Sequence, residues 1–389
     1  MNAGSPVFAQ VMSRIHREQF SRCVARYGGE RSVRSFSCGD QFRSMAFAQM
    51  TYRESLRDIE ACLNARPQLL HHMGFSGPIA KSTLADANER RDFRMYADLA
   101  QLLIRRARHL YAGETLELEL RNTAYALDST TITVSLGLCP WARFRAGLAG
   151  VKMHTQLDLR GSIPSFIYIT PQRVHDVHFL EELEPEPEAI YVMDRAYLSL
   201  ARLYRFHQAG AFFVVRGFDR FALKRIRSLP HQIPGIRADQ IGYPRPFYPR
   251  KDFPEPLRRI HYIDPSDPAT DLLLVTNLLS AQSADITRLY KYRWDIELFF
   301  KWIKQNLRIR TFYGLSLNAI QTQIWIAICL YVLVAIIQKE LKVEASLHRI
   351  LQVLSVSPFE KTALAQLLTE NALERAEDQF HKQLIFKDF

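Results

Sequence analysis

Four residues in the stretch Ala284–Leu307 have types and spacing suited to phosphate chemistry: Tyr290-x2-Arg293-x3-Glu297-x6-Lys304. A carboxylate can hold a divalent metal, and cations beside it can hold phosphate oxygens. The stretch itself, ADITRLYKYRWDIELFFKWIKQNL, reads as one amphipathic helix. Ser283 or Asp285 can cap its start, and no Pro or Gly interrupts it. With Tyr290 set at about 0°, Leu289, Ile296, Phe299, Phe300, Ile303 and Leu307 fall between roughly 180° and 280° and make a core-facing stripe. Arg293 then falls near roughly 300°, Lys304 near about 320° and Glu297 near about 340°. The four polar residues thus line the edge of the buried face. An Arg293–Glu297 pair alone would be an ordinary solvated i,i+4 ion pair. What singles the pattern out is four residue types at three fixed spacings.

The pattern resembles the Tyr-Arg-Glu-Lys signature of DDE transposases of the insertion sequence 4 family. The resemblance implies that Glu297 is the third catalytic carboxylate and that two Asp residues lie upstream, each on a strand of a ribonuclease H-like core. Two positions answer that requirement. TAYALDSTTITVSL, from Thr123, has alternating and β-branched residues and reads as a strand carrying Asp128. AIYVMDRAY is a short apolar strand ending at Asp194. Either Asp alone is more simply a turn former or helix cap; their placement together with Glu297 is the specific signal.

Between and after them, GVKMHTQLDL and SIPSFIYIT read as two strands joined at Arg160–Gly161 as a hairpin. A short helix is expected through Val174–Leu183, another through Tyr197–Gln208, and a strand at AFFVVRGF. The order is strand, strand, strand, helix, strand, helix, strand. Residues 218–270 are rich in Pro, which excludes long helices. FALKRIRSL and LRRIHYI read there as strands of a small insertion. Lys224, Arg225, Arg227, Arg245, Arg250, Lys251, Arg258 and Arg259, interleaved with Tyr243, Phe247 and Tyr248, suit nucleic-acid contact. Family members that cut through a DNA hairpin stack a flipped base on an aromatic, often a Trp of this insertion. Here Trp141, Trp294, Trp302 and Trp325 all lie outside it, so the cleavage route stays open.

Residues 7–112 read as helices. ESLRDIEACLNA and KSTLADANERRDFRMYADLAQLLIRRARHL, separated by Gly74, Gly77 and Pro78, form a loose helix-turn-helix pattern whose second helix opens at Ser82 or Thr83. Arg90, Arg91 and Arg94 follow on that second helix as candidate DNA contacts. An ordinary helical bundle with a charged face fits the same residues. The resemblance implies recognition of the element's ends here.

The expected architecture is α/β: a ribonuclease H-like mixed sheet flanked by helices, with a helical N-terminal domain and a β-rich insertion before the Glu297 helix. The expected segments are a helical DNA-binding domain (1–115), two parts of the catalytic core (116–217 and 271–340) around the insertion (218–270), and a C-terminal helical region (341–389).

Bulk properties agree with this. The chain has 389 residues, 48% hydrophobic and 23% charged, and a formal charge of +11. That size supports two or three domains, and the surplus charge favours a polyanionic partner. Five scattered cysteines without a CxxC pair argue against a disulfide framework or a structural zinc site, and suit a reducing cytoplasm. His175-x2-His178 has no nearby Cys partner, and with His154 reads as ordinary surface or core histidine. Met1–Pro6 lacks a basic start and an apolar run, so no signal peptide is expected. Ile324–Ile337 is shorter than the ~20 residues that cross a bilayer and reads as a buried helix.

The resemblance further implies metal-dependent chemistry at Asp128, Asp194 and Glu297 with two Mg²⁺ ions, Mn²⁺ being able to substitute. It implies phosphate contacts from Tyr290, Arg293 and Lys304, double-stranded DNA as partner (element ends and target), a homodimer in the active complex, no membrane, and a cytoplasmic, nucleoid-associated location. Two rivals share parts of the pattern. A ribonuclease H-like nuclease without strand transfer needs the carboxylates alone, and a non-catalytic DNA-binding repressor needs none of them.

Overall fold

The structure, a computed structural model, describes residues 4–369 apart from 32, 117, 119, 135–142, 146–147, 231–232, 246–249, 307–311 and 315. Trp141, Phe247, Tyr248, Leu307 at the end of the expected helix, and residues 370–389 therefore lie outside the described residues. By contact the chain gathers into two compact units. One comprises residues 1–111, 133–143 and 301–389; the other comprises 112–132 and 144–300.

The first unit is helical. Its members are α1 (Val7–Met12), α2 (Arg17–Arg26), α3 (Cys38–Met50), α4 (Leu56–Asn64), α5 (Pro67–Leu70), α6 (Lys81–Arg90) and α7 (Arg94–Tyr111). Far along the sequence, α12 (Leu317–Glu340) and α13 (Leu347–Val356) join them. Every residue of α12 from Ile324 to Ile337 is buried, and the helix packs against α3, α6, α7 and α13. Ser316 caps its start through the Ala319 amide at 3.1 Å. Tyr111 donates its hydroxyl hydrogen to the Ala335 carbonyl at 3.0 Å, and Gln49 donates to the Gln323 carbonyl at 2.8 Å. At 24 residues, α12 is longer than the apolar run suggests, and by length and composition it could cross a membrane. Its most apolar window is 94% buried within the protein, which fits a core helix.

The expected second helix of the helix-turn-helix pattern is two helices. It opens at Lys81, ends at Arg90, and restarts at Arg94. Asp92 makes the restart: its carboxylate accepts the Arg94 backbone N–H at 2.9 Å, as an N-capping Asp does.

The second unit is built on one mixed sheet. Its strands are β1 (Ala124–Val134), β2 (Arg143–Arg145), β3 (Leu148–Asp158), β4 (Ile163–Pro171), β5 (Ile190–Met193), β6 (Phe212–Arg216), β7 (Leu223–Ser228), β8 (Ile236–Pro244), β9 (Leu257–Asp264) and β10 (Asp267–Thr276). They run in the order β2-β3-β1-β5-β6-β10-β9-β8-β7, with β4 also paired to β3. The central strands β1, β5 and β6 are parallel, and where they pair, at Ala124–Leu127, Ile190–Met193 and Phe212–Val215, they are apolar on both faces, as helix-covered parallel strands are. On one face, α9 (Leu200–Gln208) and the short α8 (Phe179–Glu182) bring Phe179, Leu180, Leu203 and Phe206 onto Tyr125, Tyr191 and Phe213. The hairpin at Arg160–Gly161 is present, with Gly161 and Ser162 both at positive φ, the geometry that tight β-hairpins use. The expected helix through Val174–Leu183 shrinks to a 3₁₀ turn, Asp176–His178, followed by α8.

Residues 218–270 do not form a separate small sheet. β7, β8 and β9 extend the main sheet beyond β10, and Phe253 packs its ring edge against Phe213 in the core. β8 is absent from the sequence reading because Pro230, Pro234 and Pro244 crowd its ends; within the strand only its last residue is Pro.

Candidate active site

The parallel register of β1 and β5 pairs Leu127 with Met193. The next residues are Asp128, still on β1, and Asp194, directly after β5, so the two carboxylates follow neighbouring strands at the same level. Strand register therefore unites two residues that are 66 positions apart. Asp128 is about one-fifth exposed, and its Oδ1 accepts the Ser129 backbone N–H at 2.7 Å. Burial pushes its pKa up to about 6; the Ser129 amide and Arg293 oppose the rise, while Asp194 and Glu297 add to it. Asp194 and Glu297 thus both stand near enough for their charges to act on Asp128.

Glu297 reaches that site from a helix pair, where a single helix was expected. α10 (Ser283–Lys291) stops and α11 (Trp294–Asn306) begins after a tight turn at Tyr292–Arg293. There the Arg293 N–H bonds the Tyr290 carbonyl, and the Asp295 and Ile296 N–H groups bond the carbonyls of Tyr292 and Arg293. These i→i−3 bonds overwind the chain in the manner of a 3₁₀ turn. No Pro or Gly marks the break. The side chains around it are instead held by partners on the sheet. Buried Tyr290 directs its hydroxyl at Asp194 Oδ1, 3.5 Å away. Arg293 places Nη1 3.5 Å from Asp128 Oδ2 and Nη2 2.7 Å from Glu297 Oε1. Its guanidinium also lies 5.7 Å from the Tyr290 ring centre. Burial pushes the Tyr290 phenol up to about 12, the Arg293 charge opposing the rise and the Asp194 charge adding to it, so it stays a proton donor.

Arg293 is thus the cation standing between two of the three carboxylates. Among the described residues, no three His, Cys, Asp or Glu side chains stand grouped as a ready ion site. The chemistry of the donors nevertheless suits a hard divalent ion: three carboxylates, two of them sharing the Arg293 cation, and one, Asp128, whose charged form burial disfavours until a cation offsets it.

The remaining candidates are distributed. Lys304 lies on α11, two turns beyond Glu297, and is half-buried. Arg90 is exposed and lines an open cleft of about 700 Å³ with Arg31 and Arg34. Arg91 turns inward, donating to the carbonyls of Phe36 and Ser37 and to Gln41. Arg94 is exposed, forks onto Asp92 and stacks over Tyr27 at 4.9 Å. In the 218–270 stretch, Lys224, Arg225 and Arg227 are exposed on the edge strand β7. Arg258 is a correction. It is buried, forked onto Asp239 at 2.6 and 2.8 Å, and donates to the Ala281 carbonyl at 2.5 Å. It ties β8 and β9 to the loop before α10 and offers nothing to an external phosphate.

Three residues behind Asp128 escaped sequence reasoning: Ser129, Lys152 and Asp176. Ser129 and Asp176 are 47 positions apart and share no motif; a Ser following an Asp is the sole hint.

The transposase DDE domain family matches residues 120–333, more than half of the chain. A domain family of unknown function, DUF4372, matches residues 3–76. A putative transposase, y4zB, from Sinorhizobium fredii (strain NBRC 101917 / NGR234) is 32% identical over 277 residues, 69% of this chain and 72% of that protein. A probable transposase for insertion sequence element IS5377 from Geobacillus stearothermophilus is 31% identical over 207 residues. That match covers 53% of this chain and 54% of the relative, so it spans about half the relative's length. A putative transposase for insertion sequence element IS4SA from Synechocystis sp. is 24% identical over 302 residues, 75% of this chain and 82% of that one. The chain belongs to the transposase DDE domain family.

Proposed function

We propose that this chain is the transposase of a bacterial insertion sequence of the insertion sequence 4 family, with a ribonuclease H-like catalytic core. It would bind the element's ends and catalyse metal-dependent strand cleavage and transfer into target DNA. One observation carries the reading: Tyr290 and Arg293, from the signature helix pair, face Asp194 and Asp128, while Arg293 also holds Glu297.

Asp128, Asp194 and Glu297 hold two Mg²⁺ ions in this reading, with Mn²⁺ able to substitute. When bound, such ions activate an attacking oxygen and stabilise the leaving one during in-line displacement at phosphorus. Arg293 balances the negative charge of the carboxylates until then. Released from them, its planar fork suits two phosphate oxygens at once. Tyr290, a buried proton donor, and Lys304, a point charge, position phosphates beside it. Water attacks first and frees a 3′-hydroxyl at the element end; that hydroxyl then attacks the target strand.

Arg90, with Arg31 and Arg34, contacts DNA in the helical unit, and Arg91 and Arg94 shape that wall. The exposed cations of β7 add to the DNA-binding surface. The active complex is a homodimer, working on the nucleoid in the cytoplasm.

The test incubates the full chain with Mg²⁺ and labelled duplex carrying the ends of its own element. Nicked or hairpin ends together with joined products are expected. Cleavage without joining would leave a nuclease, and binding without cleavage would leave a repressor.

A further inference from the structure

We propose that Asp176 and Lys152 are positioning residues for Asp128, acting through Ser129. The inference rests on the reading of Asp128 as a metal-holding carboxylate. The contacts run in an unbroken line. The Ser129 backbone N–H donates to Asp128 Oδ1 at 2.7 Å, and its hydroxyl donates to Asp176 Oδ1 at 2.6 Å. Lys152 Nζ donates to the same Asp176 oxygen at 2.9 Å and to the Val174 carbonyl at 2.8 Å. Three separate elements meet here: β1, β3, and the 3₁₀ turn that follows β4.

Each member has a physical task. Asp176 accepts the Ser129 hydroxyl hydrogen and so holds that side chain in one rotamer. The same bond ties the β1 backbone at Ser129 to the Asp176 turn, and the Ser129 amide on that backbone orients Asp128 Oδ1. Lys152 is largely buried, with its side chain 13% exposed, and lies against Asp176. Its charge offsets the Asp176 carboxylate, so a fourth negative group near the three acids adds little repulsion. Tyr197, fully buried on the 3₁₀ turn Arg195–Tyr197, lies near enough for the Asp128 and Asp176 charges to act on its phenol. Partners of this kind, one layer behind the ligands, typically set metal affinity by about 10–100-fold.

The experiment measures Mn²⁺ binding to the full chain without DNA, by water-proton relaxation. It compares D176A, S129A, S129T and D128N with the parent protein. D176A and S129A are expected to weaken Mn²⁺ binding roughly 10–100-fold with unchanged metal-free DNA binding. S129A should also keep the parent melting temperature, whereas D176A leaves the largely buried Lys152 charge without its carboxylate and should melt lower. S129T keeps the hydroxyl and is expected to restore parent affinity. S129A removes a single oxygen and carries the test should D176A fail to fold. Parent-like Mn²⁺ affinity in S129A, or S129T as weak as S129A, would overturn the inference. If instead D128N binds Mn²⁺ like the parent, the reading of Asp128 as a ligand fails first.

Discussion

Helix α12 and the pair α10–α11 make an instructive contrast. Both stretches carry helix-forming sequence without an internal Pro or Gly, and both bury apolar residues. Yet α12 runs unbroken for 24 residues, while the other breaks at Tyr292–Arg293. The difference lies in what the side chains require. The residues of α12 between Ile324 and Ile337 are almost all apolar, and dispersion contacts have no direction, so any neighbour of the right volume suffices. Tyr290, Arg293 and Glu297 need partners at set distances and angles. Where an unbroken helix would miss those partners, the backbone yields. A few contacts to charged groups, each worth ~1.5–3 kcal/mol, can offset one irregular turn.

That contrast can be broken or sharpened by substitution. The largest effect is expected at the acids. D128N, D194N or E297Q should each lower Mg²⁺-dependent cleavage by on the order of 10³-fold or more, since residues acting as one unit fail together. A filter-binding assay should show DNA affinity intact in all three. In α12, Ile328 is fully buried, and I328A should cost roughly 2–5 kcal/mol of stability. Denaturant unfolding would measure it, and the surviving folded protein should keep its Mg²⁺ requirement. If I328A altered that requirement, the separation of scaffold from chemistry would be lost.

Smaller effects sharpen the role of Arg293. R293A should weaken binding to element ends by about tenfold and reduce the slope of log affinity against log salt by about 0.9, as for one lost phosphate contact. An unchanged slope would mean that Arg293 serves the carboxylates alone.

The smallest expected effect is a pH dependence. Asp128 is raised in the folded protein from 3.8 to about 6, burial being the main cause. A raised acid favours the folded state while protonated. That contribution is full below about pH 4 and is lost as pH rises through about 6. A divalent ion competes with the same proton. The gain in melting temperature on adding Mg²⁺ should therefore be small at about pH 5 and grow through about pH 6 toward neutrality. His154 carries the opposite sign. It is buried, and burial lowers its pKa to about 4. Its contribution is present above about pH 6.5 and disappears as pH falls toward 4. In metal-free protein the two slopes oppose each other between about pH 4 and 6, and H154F should steepen the fall with rising pH to which Asp128 and Asp295, also raised by burial, contribute.

Much of this was legible in the chain. The apolar runs ending at Leu127 and Met193 announced two strands, and an Asp directly after each marked the site's level. The Tyr-Arg-Glu-Lys spacing announced the helix that faces them. Arg258 was not legible, because its sequence neighbours are basic and nothing local reveals Asp239 beneath it. The 3₁₀ turn at Asp176 was hidden because Val174–Leu183 has helical composition, while the hydrogen bonds from Ser129 and Lys152 favour a tighter geometry.

By itself, the sequence determined which segments bury which faces, because periodicity and residue type are local properties. It thereby decided the strands of Asp128 and Asp194 and the helical character around Glu297. Tertiary structure alone decided which polar atoms meet: Arg293 between Asp128 and Glu297, Asp176 behind Ser129, and Arg258 sealed inside. Hydrogen bonds and ion pairs act over a few ångströms, and only the folded backbone brings groups from distant segments within that range.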